Sequence, residues 1–168
     1  MRRSVVLSAV AALLASLGVV LAGVVARTGG SAVGRPPVPA AVRADPAATV
    51  LCAWDRRRAA AYEVGSVRAL RSLYVVGSSA GRADARLLGA YLARGFVVRG
   101  MRMQLLTVTV LHHDETTWRL RVTDRLTGAV AVGGAGEVAL PTDAPTARTL
   151  TLVRGRDTRW RVSQVSSG

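Results

Sequence analysis

Side chains able to bind a metal or move a proton at neutral pH are few in this chain, and they crowd into one place. His112 and His113 are the only two histidines among 168 residues, and Asp114 and Glu115 follow them at once in VLHHDETTW. Imidazole beside carboxylate is the pairing that acid–base catalysts and zinc sites use. The spacing argues against both. Consecutive residues of a strand point to opposite faces, so the two rings do not converge on one ion. Zinc wants three or four converging ligands, and no second cluster of His or Cys exists in the sequence. The polar run lies between two alternating apolar segments, where the turn of a hairpin belongs. A hairpin tip is therefore expected, with adventitious metal or pH-dependent binding as the alternative. The single Cys52 allows no internal disulfide and reads as a small core residue. No metal and no cofactor is expected.

Composition bounds what partners such a chain can have. All 23 basic residues are Arg; Lys, Ile and Asn are absent and Phe occurs once. Amino acids with AT-rich codons are thus depleted together, so a GC-rich genome accounts for much of the Arg excess. The net charge of +13 is for that reason weak support for nucleic-acid binding.

After Met1-Arg2-Arg3, the segment from Ser4 to Ala26 carries no charge. At about 1.5 Å per residue it is long enough to cross a hydrocarbon core of about 30 Å. Arg2 and Arg3 favour a cytoplasmic N-terminus (residues 1–3), which places the rest of the chain outside the membrane. A cleaved signal peptide ending at Ala26 is the competing reading, but the apolar run exceeds the usual signal core of about 7–15 residues. Residues 27–46, RTGGSAVGRPPVPAAVRADP, have no hydrophobic period and read as a semi-extended tether. A single domain is expected over 47–168.

Within that domain, Asp45-Pro46 makes a helix start, and AATVLCAWDRRRAAAYEV follows with Val50, Leu51, Trp54 and Ala61 inward and Arg56, Arg57 and Arg58 off that face. Gly65 breaks this helix and Ser66 opens a second, VRALRSLY. GSSAG reads as a turn, and RADARLLGAYLARG as a third helix. The period then changes to two. FVVRGMRMQLLTVTVLHH alternates, but its apolar parity shifts between Leu105 and Leu106, as at a β-bulge. TTWRLRVTDRL, AVAVGGAGEVAL (with a bulge at Gly133-Gly134), ARTLTLVRG and RDTRWRVSQV complete a meander of four to five antiparallel strands. The class is α+β, three helices on one face of a curved sheet.

The stretch Ala53 to Tyr74, AWDRRRAAAYEVGSVRALRSLY, resembles the opening of the SnoaL-like, or nuclear transport factor two-like, superfamily, with Trp54, Gly65, Leu70, Leu73 and Tyr74 at matching positions. This resemblance spans about Ala47 to Val165 and implies a cone whose mouth opens between helices and sheet. Members include isomerases, cyclases and dehydratases as well as non-catalytic partner-binding domains. A membrane helix and tether ahead of such a cone is similar to the Mce-associated membrane proteins. Catalytic members usually carry Asp, His or Tyr inside the cone. Here Trp54, Tyr62, Tyr91 and Gln104 are the side chains expected to line a cavity. Asp84 reads as a first-turn acid favouring its helix dipole, and Asp55 and Glu63 as surface partners of Arg58 and neighbouring arginines.

A basic face is the other candidate. Arg119 and Arg121 share one side of their strand, and Arg159 and Arg161 one side of theirs, with Arg154 and Arg156 in the adjoining turn. If those strands are close, the guanidiniums form a row suited to anionic lipid, a wall polymer or an acidic protein. The leading expectation is a non-catalytic, membrane-anchored extracytoplasmic subunit of an envelope complex, with a homodimer through the sheet open and nucleic acid not expected. The alternatives are a small-molecule-binding or SnoaL-like enzyme, and a domain that docks on anionic polymers through this face.

Overall fold

A computed structural model describes residues 45–134 and 136–167. The expected anchor, and the tether up to Ala44, lie outside the described residues. Among the described residues no helix is long and apolar enough to cross a membrane.

Helix α1 (Pro46–Glu63) begins where the sequence places it. The Asp45 carboxylate accepts a hydrogen bond from the Ala47 N–H at 2.9 Å, and Pro46 fills the first turn. Gly65, at φ +66°, reverses the chain into α2 (Val67–Arg71), which the Ser66 hydroxyl caps at Ala69. This second helix stops short of Tyr74. The third, α3 (Ser79–Leu92), starts three residues before the expected Arg82 because Ser78 caps it. GSSAG is thus a helix start rather than a turn. Gly81 in its first turn is required there, since a Cβ would fall 2.7 Å from the Tyr74 side chain.

Seven strands follow: β1 (Phe96–Arg99), β2 (Arg102–His113), β3 (Thr117–Thr127), β4 (Val130–Gly133), β5 (Gly136–Ala139), β6 (Thr146–Arg154) and β7 (Trp160–Ser167). They form two antiparallel sheets, β1-β4-β5 and β2-β3-β6-β7, instead of one meander of four or five. Two local events make the difference. Gly100, at φ +65°, splits the first long segment into β1 and β2. The glycines expected to bulge one strand turn the chain back on itself, pairing Gly133 with Gly136 as a tight β4–β5 hairpin. The parity shift in β2 does mark a bulge: the register slips between Leu105 and Thr107, and again between Val110 and His112.

The helices cover one face of the larger sheet. Leu51, Trp54, Leu70 and Leu88 from the helices are buried, as are Leu120, Val122, Leu150, Leu152 and Val162 from the strands. One sheet edge is closed by irregular chain. The Val75 N–H donates to the Val162 carbonyl and the Val162 N–H to the Leu73 carbonyl, both at 3.0 Å, so Leu73–Val75 runs alongside β7. Among the described residues no strand pairs with the outer edge of β2.

Candidate functional site

Three places bring polar side chains together. The first is deep. Arg58 turns inward from α1, and its Nε and Nη2 donate to the two Asp84 oxygens at 2.7 and 2.6 Å. The Tyr62 hydroxyl donates to the same carboxylate at 2.6 Å and the Tyr74 hydroxyl at 2.7 Å. Asp84 is only 8% exposed and Arg58 17%. Burial alone would raise the Asp84 carboxyl, but the hydrogen bonds and charge of Arg58, joined by the two hydroxyls, hold it below the ordinary range. The same desolvation, followed by the proximity of Asp84, drives both tyrosines well above theirs, although the Arg58 charge opposes it. Every acceptor position of the carboxylate that faces the core is taken. Asp84 is therefore a structural acid of the core and not a first-turn residue, and Arg58 pairs with it rather than with Asp55 or Glu63. Tyr62, expected to line a cavity, is committed to this cluster.

The second place is a cavity of about 40 Å³ between α1 and the sheet. Trp54 and Asp55 line it from α1, Met103 and Leu105 from β2, and Asp124 and Arg148 from β3 and β6. Asp55 Oδ2 accepts from the Met103 N–H at 3.2 Å, which satisfies a backbone donor on the open-edge strand β2, while its Oδ1 has no partner among the described residues. Arg148 pairs with Asp124 through Nη2, and its buried Nε has no partner among the described residues. Burial raises the Asp55 carboxyl, with the Asp124 charge adding to it and the Met103 N–H, Arg58 and Arg148 opposing. Of the expected lining residues only Trp54 meets this cavity, and its Nε1 is spent on the Leu73 carbonyl at 3.0 Å. Gln104 points out of the sheet, where it accepts from Arg125 Nε at 2.7 Å. Tyr91 is buried on α3, away from this cavity. Cys52, expected in the core, is exposed.

The third place is the basic surface. Strand β6 stands between β3 and β7, and Arg119 and Arg121 lie opposite Thr151 and Thr149, not opposite another arginine. At a strand spacing of about 4.8 Å, Arg161 is set roughly 10 Å across the sheet from them, so the single row is broken. Arg161 is also engaged: Nη1 and Nη2 clamp Asp157 at 2.8 and 2.6 Å, and Nε donates to the Ser72 carbonyl at 3.2 Å. That clamp pulls the Asp157 carboxyl down to about 2. Arg154 Nε lies 3.4 Å from the Thr158 carbonyl, and Arg156 is exposed in the same turn. Arg159 faces α1 instead, beside Arg56, Arg57 and Trp160.

VLHHDETTW is the β2–β3 hairpin. Asp114 Oδ1 accepts from the Thr116 and Thr117 N–H groups at 2.8 and 2.7 Å, and its Oδ2 lies 2.9 Å from His112 Nε2. His113 turns to the other face and meets the Trp118 ring edge-on, the ring centroids 4.5 Å apart. Among the described residues no group of three or more His, Cys, Asp or Glu is placed to hold a metal.

The intermembrane space region of the chloroplast protein ARC6 superposes with a TM-score of 0.51 at 13% identity, over 72% of this chain and 92% of that one. Aln2 from a Streptomyces species gives 0.49 at 16% identity over 72% and 89% of the two chains. A domain of cystatin-like fold from Nostoc punctiforme gives 0.45 at 12% identity over 70% and 73%. At such identities the likeness is one of fold. No protein-family model matches the sequence, and no curated protein does.

Proposed function

We propose that this cone domain is a non-catalytic interaction module, held at a membrane by the apolar segment 4–26 and presented outside the cytoplasm by the tether, where it serves an envelope complex. The packing of the cone carries this reading. Tyr62, Leu70, Leu88, Leu120 and Leu152 are among its largest fully buried side chains. The 40 Å³ cavity beside Trp54 admits a few water molecules, whereas pockets for organic ligands run to about 300–1,000 Å³. The Mce-associated architecture belongs to the same proposal, as does an acidic partner facing Arg119 and Arg121 on the outer sheet face. That one structure of this fold is the intermembrane space region of a chloroplast protein accords with a place between membranes.

The test is co-purification of the full chain from its own membranes. Replacing Arg119 and Arg121 together by Glu is expected to remove the partner, while Asp55→Asn with Arg148→Gln leaves it bound. The reverse pattern would overturn the proposal. A second reading has one observation in its favour: Asp55 Oδ1 and Arg148 Nε are buried at the cavity with no partner. Under it the cone takes a small amide such as acetamide, whose N–H would donate to Asp55 Oδ1 and whose carbonyl would accept from Arg148 Nε, and which would raise the melting temperature of the wild type but not of Arg148→Gln.

A further inference from the structure

Beyond the cone and the outer sheet face, the chain builds an open groove of about 540 Å³ between α1 and the β6–β7 turn. Ala53, Arg56, Arg57 and Ala60 form one wall, and Thr158, Arg159 and Trp160 the other. Three guanidiniums thus face one space without a carboxylate between them. Among the described residues neither Arg56 nor Arg159 has an ion-pair partner, and Arg57 donates only to its own helix, to the Ala53 carbonyl at 3.3 Å. Partial burial, and then the charges of Arg159 and Arg161, make the Arg57 proton easier to lose than usual. Gathering like charges in this way is unfavourable unless an anion joins them.

The turn that presents Arg159 is held rigid. Thr158 is the one non-glycine residue among those described with positive φ, at +61°. A β-branched residue in that conformation is a genuine outlier and persists only where its surroundings fix it. The surroundings here are the Asp157–Arg161 clamp, the Thr158 N–H to Gly155 carbonyl bond and the Gly155 N–H to Arg159 carbonyl bond, the latter two at 2.9 Å. Gly155 has no room for a side chain: a Cβ would sit 2.2 Å from Arg161 Nη1. The result is a fixed backbone at Arg159, opposite two more arginines on a helix, with an indole beside them. Trp160 is itself held against Trp118, centroids 5.7 Å apart.

We infer that this groove binds the phosphate group of an organic phosphate, with Arg56, Arg57 and Arg159 around the phosphate oxygens and the organic part resting on Ala53, Ala60 and Trp160. Guanidinium forks match phosphate oxygens, and an indole face accepts an apolar or aromatic substituent. The sequence joined Arg159 to Arg161, but the fold separates their duties: Arg161 builds the turn and Arg159 faces the groove.

The test uses the full chain in a neutral detergent, titrated by calorimetry with two probes. Phenyl phosphate stands for a free organic phosphate, and short-chain phosphatidylglycerol, kept monomeric, for a lipid headgroup. At least one is expected to bind. Arg57→Gln with Arg159→Gln is expected to weaken it by about tenfold or more, since charge-assisted bonds to two guanidiniums are lost. Arg119→Gln with Arg121→Gln, which removes the same charge from the outer face, is expected to leave it within about twofold. Whichever probe binds identifies the source of the phosphate. Binding of neither probe to the wild type would overturn the inference, as would equal losses in the two double variants, which would mean attraction by net charge alone.

Discussion

Asp84→Ala tests the claim that the deep carboxylate is structural. The substitution removes four hydrogen bonds at once: two from Arg58 and one each from the Tyr62 and Tyr74 hydroxyls. Counting each as a charge-assisted bond of about 1.5–3 kcal/mol would exceed the stability of many domains. That sum is too large, because the wild type already bears the cost of desolvating Arg58 and Asp84. The relevant comparison is a buried ion pair that loses one partner, which costs about 3–5 kcal/mol through the charge left behind. For a domain of about 120 residues, at about 4 °C per kcal/mol, the melting temperature should fall by roughly 12–20 °C. Urea unfolding followed by circular dichroism measures the same loss. Asp84→Leu with Arg58→Met removes both charges and should recover most of the stability, leaving the Tyr74 hydroxyl unpaired and the Tyr62 hydroxyl with the residue 84 carbonyl at 3.3 Å. A loss below about 1 kcal/mol for Asp84→Ala would refute the reasoning, because it would mean that Arg58 finds water or another acceptor at no cost. The pH dependence has a definite sign. The folded-state pKa of Asp84 is depressed, so its contribution is complete above the unfolded value of about 3.9 and is lost as pH falls through the folded value.

Asp55 should behave in the opposite way: its folded pKa is raised, so stability falls as pH climbs from the unfolded value through the folded one. Asp55→Asn should flatten that part of the stability profile and leave stability at pH 7 equal or higher by up to about 1 kcal/mol, as read by urea unfolding at several pH values. Gly81→Ala should cost about 1–3 kcal/mol, since the new Cβ must displace Tyr74, and thermal unfolding reports it. Thr158→Gly removes a left-handed strain of about 1–2 kcal/mol and adds about 0.5–1 kcal/mol of chain entropy, so a net gain of about 0.5–1 kcal/mol is expected in the same assay.

The sequence made the fold class readable because its periods are strong. Asp45-Pro46, Gly65 and Ser66 punctuate the first two helices through local chemistry, which needs no knowledge of neighbours. Splitting seven strands into two sheets was not readable, since glycine serves equally as a bulge or as a reversal, and only pairing decides between them. The polar residues of the core follow the same periods as their apolar neighbours. Asp124 continues the inward parity of Trp118, Leu120 and Val122, and Arg148 that of Leu150 and Leu152. Asp84 shares a helix stripe with Leu88 and Tyr91, and Arg58 one with Leu51, Trp54 and Tyr62. A charge that is paired can fill a core position as an apolar side chain does, so parity alone does not separate the two. The broken arginine row had a different cause. Residue parity names a face, but it does not say which strand stands between two others.

The seam along β7 bears on how the chain is made. Leu73–Val75 belongs to the first third of the domain, and its backbone partner Val162 lies in the last strand. A chain emerging N-terminus first must carry the Val75 N–H without its β7 acceptor until almost the whole domain has been delivered. The domain should therefore close late and all at once. A copy cut short before Trp160 would display both an unfilled core position and a bare strand-like segment, a combination that quality-control proteases and chaperones engage readily.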